Sequence, residues 1–257
     1  MKYINYFIQF FVTILSFLIF KIIGPSLSSN ISGKIFEKIG PLFRSKKIIH
    51  SNIKNAFPQI DSKEIEKITK SMWNNYGRVF AEYMFIEDFR YGKLSSRIEI
   101  NGSEILDDLK RSNKQAVFVS GHLSNFELMA MSIEKNGIDL SAIYRPLNNI
   151  FLNGIMERIR KKYICKKQIK KGISGMKDLL KSFRDKSSIA LMIDQRVSEG
   201  IRSNLFDKEA LTTTIPAQFV KKFNAKIVPV YIERLENDGF RIKYHNPLVF
   251  NSNSSIE

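Results

Sequence analysis

A single cysteine in 257 residues, Cys165, excludes an internal disulfide and any zinc site built on several thiolates. Histidine is scarce too, with His50, His122 and His245 the only three. No G-x-S-x-G elbow supports a serine hydrolase, no H-E-x-x-H supports a zinc protease, and no glycine-rich phosphate loop occurs. No internal repeat is visible, which leaves one large domain or two small ones. Acidic residues are few beside basic ones, 25 against 41, for a formal net charge of +16. Such an excess implies an anionic partner: nucleic acid, a membrane surface, or an acidic protein or substrate.

Charge is also missing from one continuous stretch, Tyr3 to Phe20, which is dominated by Ile, Leu, Phe and Val. At 1.5 Å per helical residue, about 18–20 residues cover roughly 27–30 Å, close to a bilayer core. Asn5, Gln9, Thr13 and Ser16 recur near helical spacing, so an anchor lying in the interface stays open beside a spanning one. The following Lys21-Ile22-Ile23-Gly24-Pro25 does not resemble a signal-peptide cleavage site. Lys2 precedes the stretch, whereas Lys21, Lys34, Lys38, Arg44, Lys46 and Lys47 follow it, which puts the body of the protein on the cytoplasmic side. The expected organisation is a membrane anchor over 1–23, a helical connecting region over 24–97 and an α/β core over 98–257.

Within 24–60, Ser, Gly, Pro and Lys separate short amphipathic pieces, and 61–90 reads as helix behind the N-cap candidates Asp61 and Ser62. From about residue 98, strand and helix patterns alternate. Helices are expected over 103–112, 124–136, 148–162, 174–184 and 213–223, and strands over 116–120, 140–144, 188–193, 226–232 and 239–244. That order predicts an α/β fold, with a mostly parallel central sheet flanked by helices and an antiparallel edge near the C-terminus.

Ligands in such sheets sit beyond the carboxyl ends of the strands. Three polar clusters fall there: His122 after AVFVS, Arg145 after LSAIY, and Asp194-Gln195-Arg196 after SIALMI. Ser124 and Glu127 have capping-box spacing, so Glu127 either caps a helix or reaches back to the turn that holds His122. Arg145 suits bidentate capture of phosphate or carboxylate, or is an ordinary loop arginine. Asp194 and Arg196 either contact substrate or pair within their own turn. The basic run from Arg158 to Lys167, continued by Lys170 and Lys171, reads as a solvated face or a phospholipid-facing stripe. Cys165, among lysines, is a weak candidate nucleophile.

Gly121-His122-Leu123-Ser124-Asn125-Phe126-Glu127 resembles the H-x4-D/E motif of the lysophospholipid acyltransferase superfamily, in the glutamate form of the lipid A late acyltransferases. Other blocks agree in order. HSNIKNAFPQIDSKEIEKI (50–68) resembles an N-terminal N-x-x-x-A-F-P block and YRPLNN (144–149) an arginine block. DQRVSEGI (194–201) and ALTTTIPAQFVKKFNAKIVPVYIERL (210–235) are similar to blocks of the lauroyl/myristoyl transferases. The resemblance runs from about residue 1 to 248. Two departures stand out. Leu205-Phe206-Asp207 replaces a common F-F-G, and the chain stops at 251–257 where relatives continue into a helix and an aromatic- and arginine-containing tail, which implies a missing C-terminal tail.

The resemblance implies acyl transfer from acyl carrier protein, or sometimes coenzyme A, to a hydroxyl of a lipid acceptor, a lipid A precursor, at the cytoplasmic face of the inner membrane. His122 and Glu127 are then the expected catalytic pair, and Arg145, Asp194 and Arg196 the substrate-binding set. No cofactor or metal is required. Alternatives are a related transferase with another lipid acceptor, and an inactive truncated homologue binding membrane surfaces. A nucleic-acid binder would interleave basic residues with exposed aromatics; clustering at three strand ends favours an organised polar site, so nucleic acid is not an expected partner.

Overall fold

The computed structural model describes residues 1–250 except Glu199; the tail call at 251–257 and Glu199 of the 194–201 block lie outside the described residues. Contacts divide the chain into two compact units, one of Phe11–Phe85 with Arg202–Ala210, the other of Met1–Phe10, Ile86–Ile201 and the chain from Leu211.

The uncharged stretch forms one continuous helix, α1 (Lys2–Ile23). It is long and apolar enough to cross a membrane. The segment 24–60 is more regular than its composition suggests. Pro25 opens α2 (Pro25–Ile39), where its missing N–H costs nothing, and α3 (Lys46–Ala56) follows. The next helix, α4 (Ser62–Glu82), starts where expected: Asp61 Oδ1 accepts the N–H groups of Lys63 and Glu64 at 2.7 and 2.8 Å. The expected single helix over 61–90 is broken by a 3-10 turn at Tyr83–Phe85 before α5 (Ile86–Tyr91).

Small residues let α2 and α4 approach closely. Ser28, Ser29, Ser32 and Gly33 are the buried face of α2. Ser32 Oγ donates to the carbonyl of Gly77 at 2.7 Å, and Ser29 Oγ to buried Glu82 at 2.8 Å. A Cβ on Gly77 would sit 2.3 Å from the Ser32 carbonyl oxygen, so this crossing needs glycine.

The other unit holds the sheet. In chain order it contains β1 (Ile98–Asn101), α6 (Ser103–Ser112), β2 (Ala116–Ser120), α7 (Glu127–Lys135), β3 (Leu140–Tyr144), α8 (Ile150–Ile159), β4 (Lys167–Lys170), α9 (Ile173–Arg184) and β5 (Ser188–Met192). A hairpin of β6 (Ile201–Leu205) and β7 (Lys208–Thr212) comes next, its strands divided between the units, and then α10 (Ile215–Phe223), β8 (Lys226–Arg234) and β9 (Phe240–Tyr244). The seven-stranded order is β1-β9-β8-β2-β5-β3-β4. From β8 to β4 the strands are parallel; β8 and β9 pair antiparallel, and β1 runs parallel to β9. The α/β expectation with an antiparallel edge is the fold observed.

Every residue of β2 is buried, as a parallel strand covered on both faces must be. Val117 and Val119 join Leu179 and Phe183 of α9 and Phe219 of α10 in one apolar cluster. Phe118 meets the ring of Tyr244, whose hydroxyl bonds Ser132 of α7 at 2.9 Å. This double cover fixes the strand ends, and thereby whatever lies just beyond them.

Candidate active site

The sheet order places β2, β5 and β3 side by side, so the three polar clusters follow the ends of adjacent strands. Register does the rest. Val117 pairs with Ile189 and Ser120 with Met192, and the same offset carried two residues on sets His122 against Asp194. Ile193 N–H still bonds the Ser120 carbonyl at 2.9 Å, so the strands stay together up to the turn.

There Asp194 Oδ1 lies 2.8 Å from His122 Nδ1, and Oδ2 accepts the His122 backbone N–H at 2.8 Å. An ionised carboxylate only accepts hydrogen bonds, so the proton of this contact sits on Nδ1, and in the neutral ring the lone pair is then on Nε2. Phe126 packs edge-on against the imidazole at 4.7 Å between centroids. Gly121 leaves room for the carboxylate, since a Cβ there would stand 3.3 Å from Oδ2. The sequence reading puts Asp194 on the substrate; in the fold both its oxygens bond His122.

Two local expectations at Glu127 are corrected. Helix α7 begins at Glu127 rather than 124, because Ser124 adopts a left-handed φ of 48°. The N-cap is Phe126, which makes no side-chain cap, rather than Ser124. Nor does Glu127 reach the imidazole: its Oε1 accepts from Arg160 Nε at 3.0 Å and Nη2 at 2.7 Å. Both side chains are nearly buried, 10% and 14% exposed.

Arg160 is the residue beside this candidate site that sequence reasoning missed, hidden in the basic run. The expected helix over 148–162 changes after α8 into a π-helical turn, Arg160–Ile164. The Arg160 guanidinium also lies 5.7 Å from the ring centroid of Tyr144. Tyr144 donates to Glu157 at 2.6 Å, and its hydroxyl is pushed up to about 12 by burial and by that carboxylate. Glu157 also accepts from Asn153 at 2.9 Å, and Asn153 accepts the Leu147 N–H. Buried Asn149 caps α8 and donates to the Tyr6 carbonyl of α1 at 2.8 Å. Asn149, Asn153 and Glu157 recur every four residues along the cap and body of a helix whose other residues, apart from Gly154 and Arg158, are large and apolar; that polar row is the signal that could have marked this face.

Arg145 and Arg196 are exposed in the loops after β3 and β5. Around these strand ends Leu123, Leu147, Ile150 and Ile193 are exposed apolar side chains. The lipid-facing reading of the whole basic run is reduced by pairing: Arg160 is turned inward, Lys167 meets Asp139 at 2.6 Å, and Lys170 lies 3.5 Å from Glu157. Arg158, Lys161 and Lys162 line a shallow concavity of about 450 Å³. Cys165 is buried, donates to the Leu140 carbonyl at 3.0 Å, and is pushed up to about 12 by burial. A thiol so protonated is no nucleophile.

A family model described as bacterial lipid A biosynthesis acyltransferase matches residues 1–257. The chain belongs to this family. It is similar to the lipid A biosynthesis myristoyltransferase of Escherichia coli (strain K12), at 21% identity over 203 residues, 77% of this chain and 61% of that protein. Lipid A biosynthesis acyltransferase 1 of Shigella flexneri matches to the same extent, and acyltransferase 2 of that organism at 21% over 140 residues, 54% of this chain and 45% of the relative. The chain thus spans less than two thirds of the length of the curated relatives it matches.

Proposed function

We propose that this chain transfers a fatty acyl group from an acyl thioester, carried by acyl carrier protein, to a hydroxyl of a lipid A precursor at the cytoplasmic face of the inner membrane. The observation that carries the reading is His122, just beyond a central strand, with Nδ1 2.8 Å from a carboxylate oxygen, an arrangement that leaves Nε2 as the nitrogen for a substrate proton. Family membership and the names of the relatives point to the same chemistry.

A hydroxyl is a poor nucleophile at neutral pH. Nε2 of His122 takes the acceptor's proton as its oxygen attacks the thioester carbonyl, a role worth about 100- to 10,000-fold. The tetrahedral intermediate collapses with cleavage of the C–S bond, and the imidazolium returns the proton to the leaving thiolate. An ester and a free thiol result. The exposed guanidinium of Arg145 holds an acceptor phosphate or the developing oxyanion, with Arg196 as a second anion contact. The apolar side chains of Leu123, Leu147, Ile150 and Ile193 suit an acyl chain. Helix α1 keeps the enzyme at the bilayer that holds a lipid acceptor.

The test is direct. Purified protein in detergent is incubated with acyl-carrier-protein and coenzyme A thioesters plus a lipid A precursor, and products are read by mass spectrometry. An acceptor heavier by one acyl chain supports the reading, and a stronger signal from the carrier-protein thioester supports the donor assignment. No acyl product with either donor contradicts it.

A further inference from the structure

We infer that Asp194, and not the glutamate of the H-x4-E segment, is the carboxylate that positions His122, while Glu127 serves to hold Arg160. The inference rests on the acyl-transfer reading above and assigns the division of labour within that site.

Two acidic residues compete for the role, and geometry separates them. Asp194 makes two contacts with one residue: Oδ1 with the ring at Nδ1 and Oδ2 with the main-chain N–H, each 2.8 Å. The carboxylate therefore fixes both the tautomer and the place of the turn from which the ring projects. The contact follows from the β2–β5 register, so two buried strands enforce it rather than a flexible loop alone. The edge of Phe126 limits the remaining freedom of the ring.

Glu127 is committed elsewhere. One of its oxygens takes two donors from Arg160, and the pair is withdrawn from solvent. Turning this carboxylate toward His122 would leave a guanidinium nearly buried without its counter-charge, which is strongly unfavourable. Asp194 and His122 are by contrast 41% and 31% exposed, open enough for a substrate hydroxyl to approach. Glu127 thus acts through Arg160, tying the start of α7 to the end of α8.

Imidazole ¹⁵N NMR on the full chain in detergent tests this, with the three histidines assigned through the spectrum lost in His122→Ala. The wild type should show the Nδ1–H tautomer for His122; an Nε2–H tautomer there would overturn the inference without any variant. In Asp194→Asn the amide oxygen still accepts the backbone N–H, but the amide nitrogen donates to Nδ1. The tautomer should then switch to Nε2–H, and turnover should fall about 100- to 10,000-fold, as expected when the base carries its proton on the wrong nitrogen. Glu127→Gln should keep the Nδ1–H tautomer. An unchanged tautomer in Asp194→Asn, or a switch in Glu127→Gln, overturns the assignment. Loss of turnover in His122→Ala together with a silent Asp194→Asn overturns it while leaving the base reading intact. Turnover retained in His122→Ala would instead remove the reading on which it rests.

Discussion

Glu127 and Arg160 form a nearly buried ion pair, 2.7 Å from Oε1 to Nη2, that joins the first residue of α7 to the turn after α8. Removing one partner of such a pair leaves an uncompensated charge in a poorly solvated place, which costs about 3 kcal/mol. Glu127→Gln should therefore lower the melting temperature clearly. Had the side chain only capped a helix, glutamine would be an accepted replacement and the melt would hardly move. Thermal denaturation of the two proteins separates these cases.

Cys165 and Tyr144 give the fold an alkaline limit. Burial raises the thiol from 9.0 to about 12 and the phenol from 10.0 to about 12. Both are neutral in the folded protein at a pH where the unfolded chain already ionises. Their contribution is complete below about pH 9 and is lost as pH rises toward 12. Denaturant midpoints should fall steadily from pH 9 upward. Thiol reagents at pH 8 should label Cys165 only as fast as the protein opens; rapid labelling of the native state would contradict its burial.

Helix α1 exposes Tyr3, Ile4, Phe7, Ile8, Phe11, Val12 and Leu15 along a length of roughly 33 Å. The full chain should sediment with membranes and stay there through a high-salt wash, because apolar insertion is not screened by salt. Release by salt alone would reduce the attachment to electrostatics from the +16 charge.

Arg145 is exposed, so replacing it should change stability by no more than about 0.5 kcal/mol. Arg145→Lys keeps the charge but loses the planar fork. The acceptor KM should rise while the donor KM holds. Equal kinetics for the two proteins would make Arg145 an ordinary loop residue.

Much of the sheet unit is legible in the sequence because its strands are short apolar runs bounded by turn residues: 116–120, 140–144 and most of 188–193 stand where the pattern puts them. Strands β1 and β4 escape because they are four residues long and mostly exposed, with no apolar run to announce them. The β6–β7 hairpin escapes for another reason. Its two-residue turn is Phe206-Asp207, at φ of 50° and 57°, where a glycine or asparagine would be the usual marker. Within the site, the sequence places His122 and Asp194 at strand ends but not beside each other, since only the strand order makes β2 and β5 neighbours. Local spacing favours Glu127 as the partner of His122, and the unforeseen competitor is Arg160, brought in from 33 residues away.

The most direct test of acyl transfer by His122 is the rate of acyl transfer by His122→Ala, measured on protein whose melting temperature matches the wild type. His122 is partly exposed in a turn, so its removal should spare the fold while transfer falls at least about 100-fold. Turnover within a few-fold of wild type would contradict the proposed mechanism.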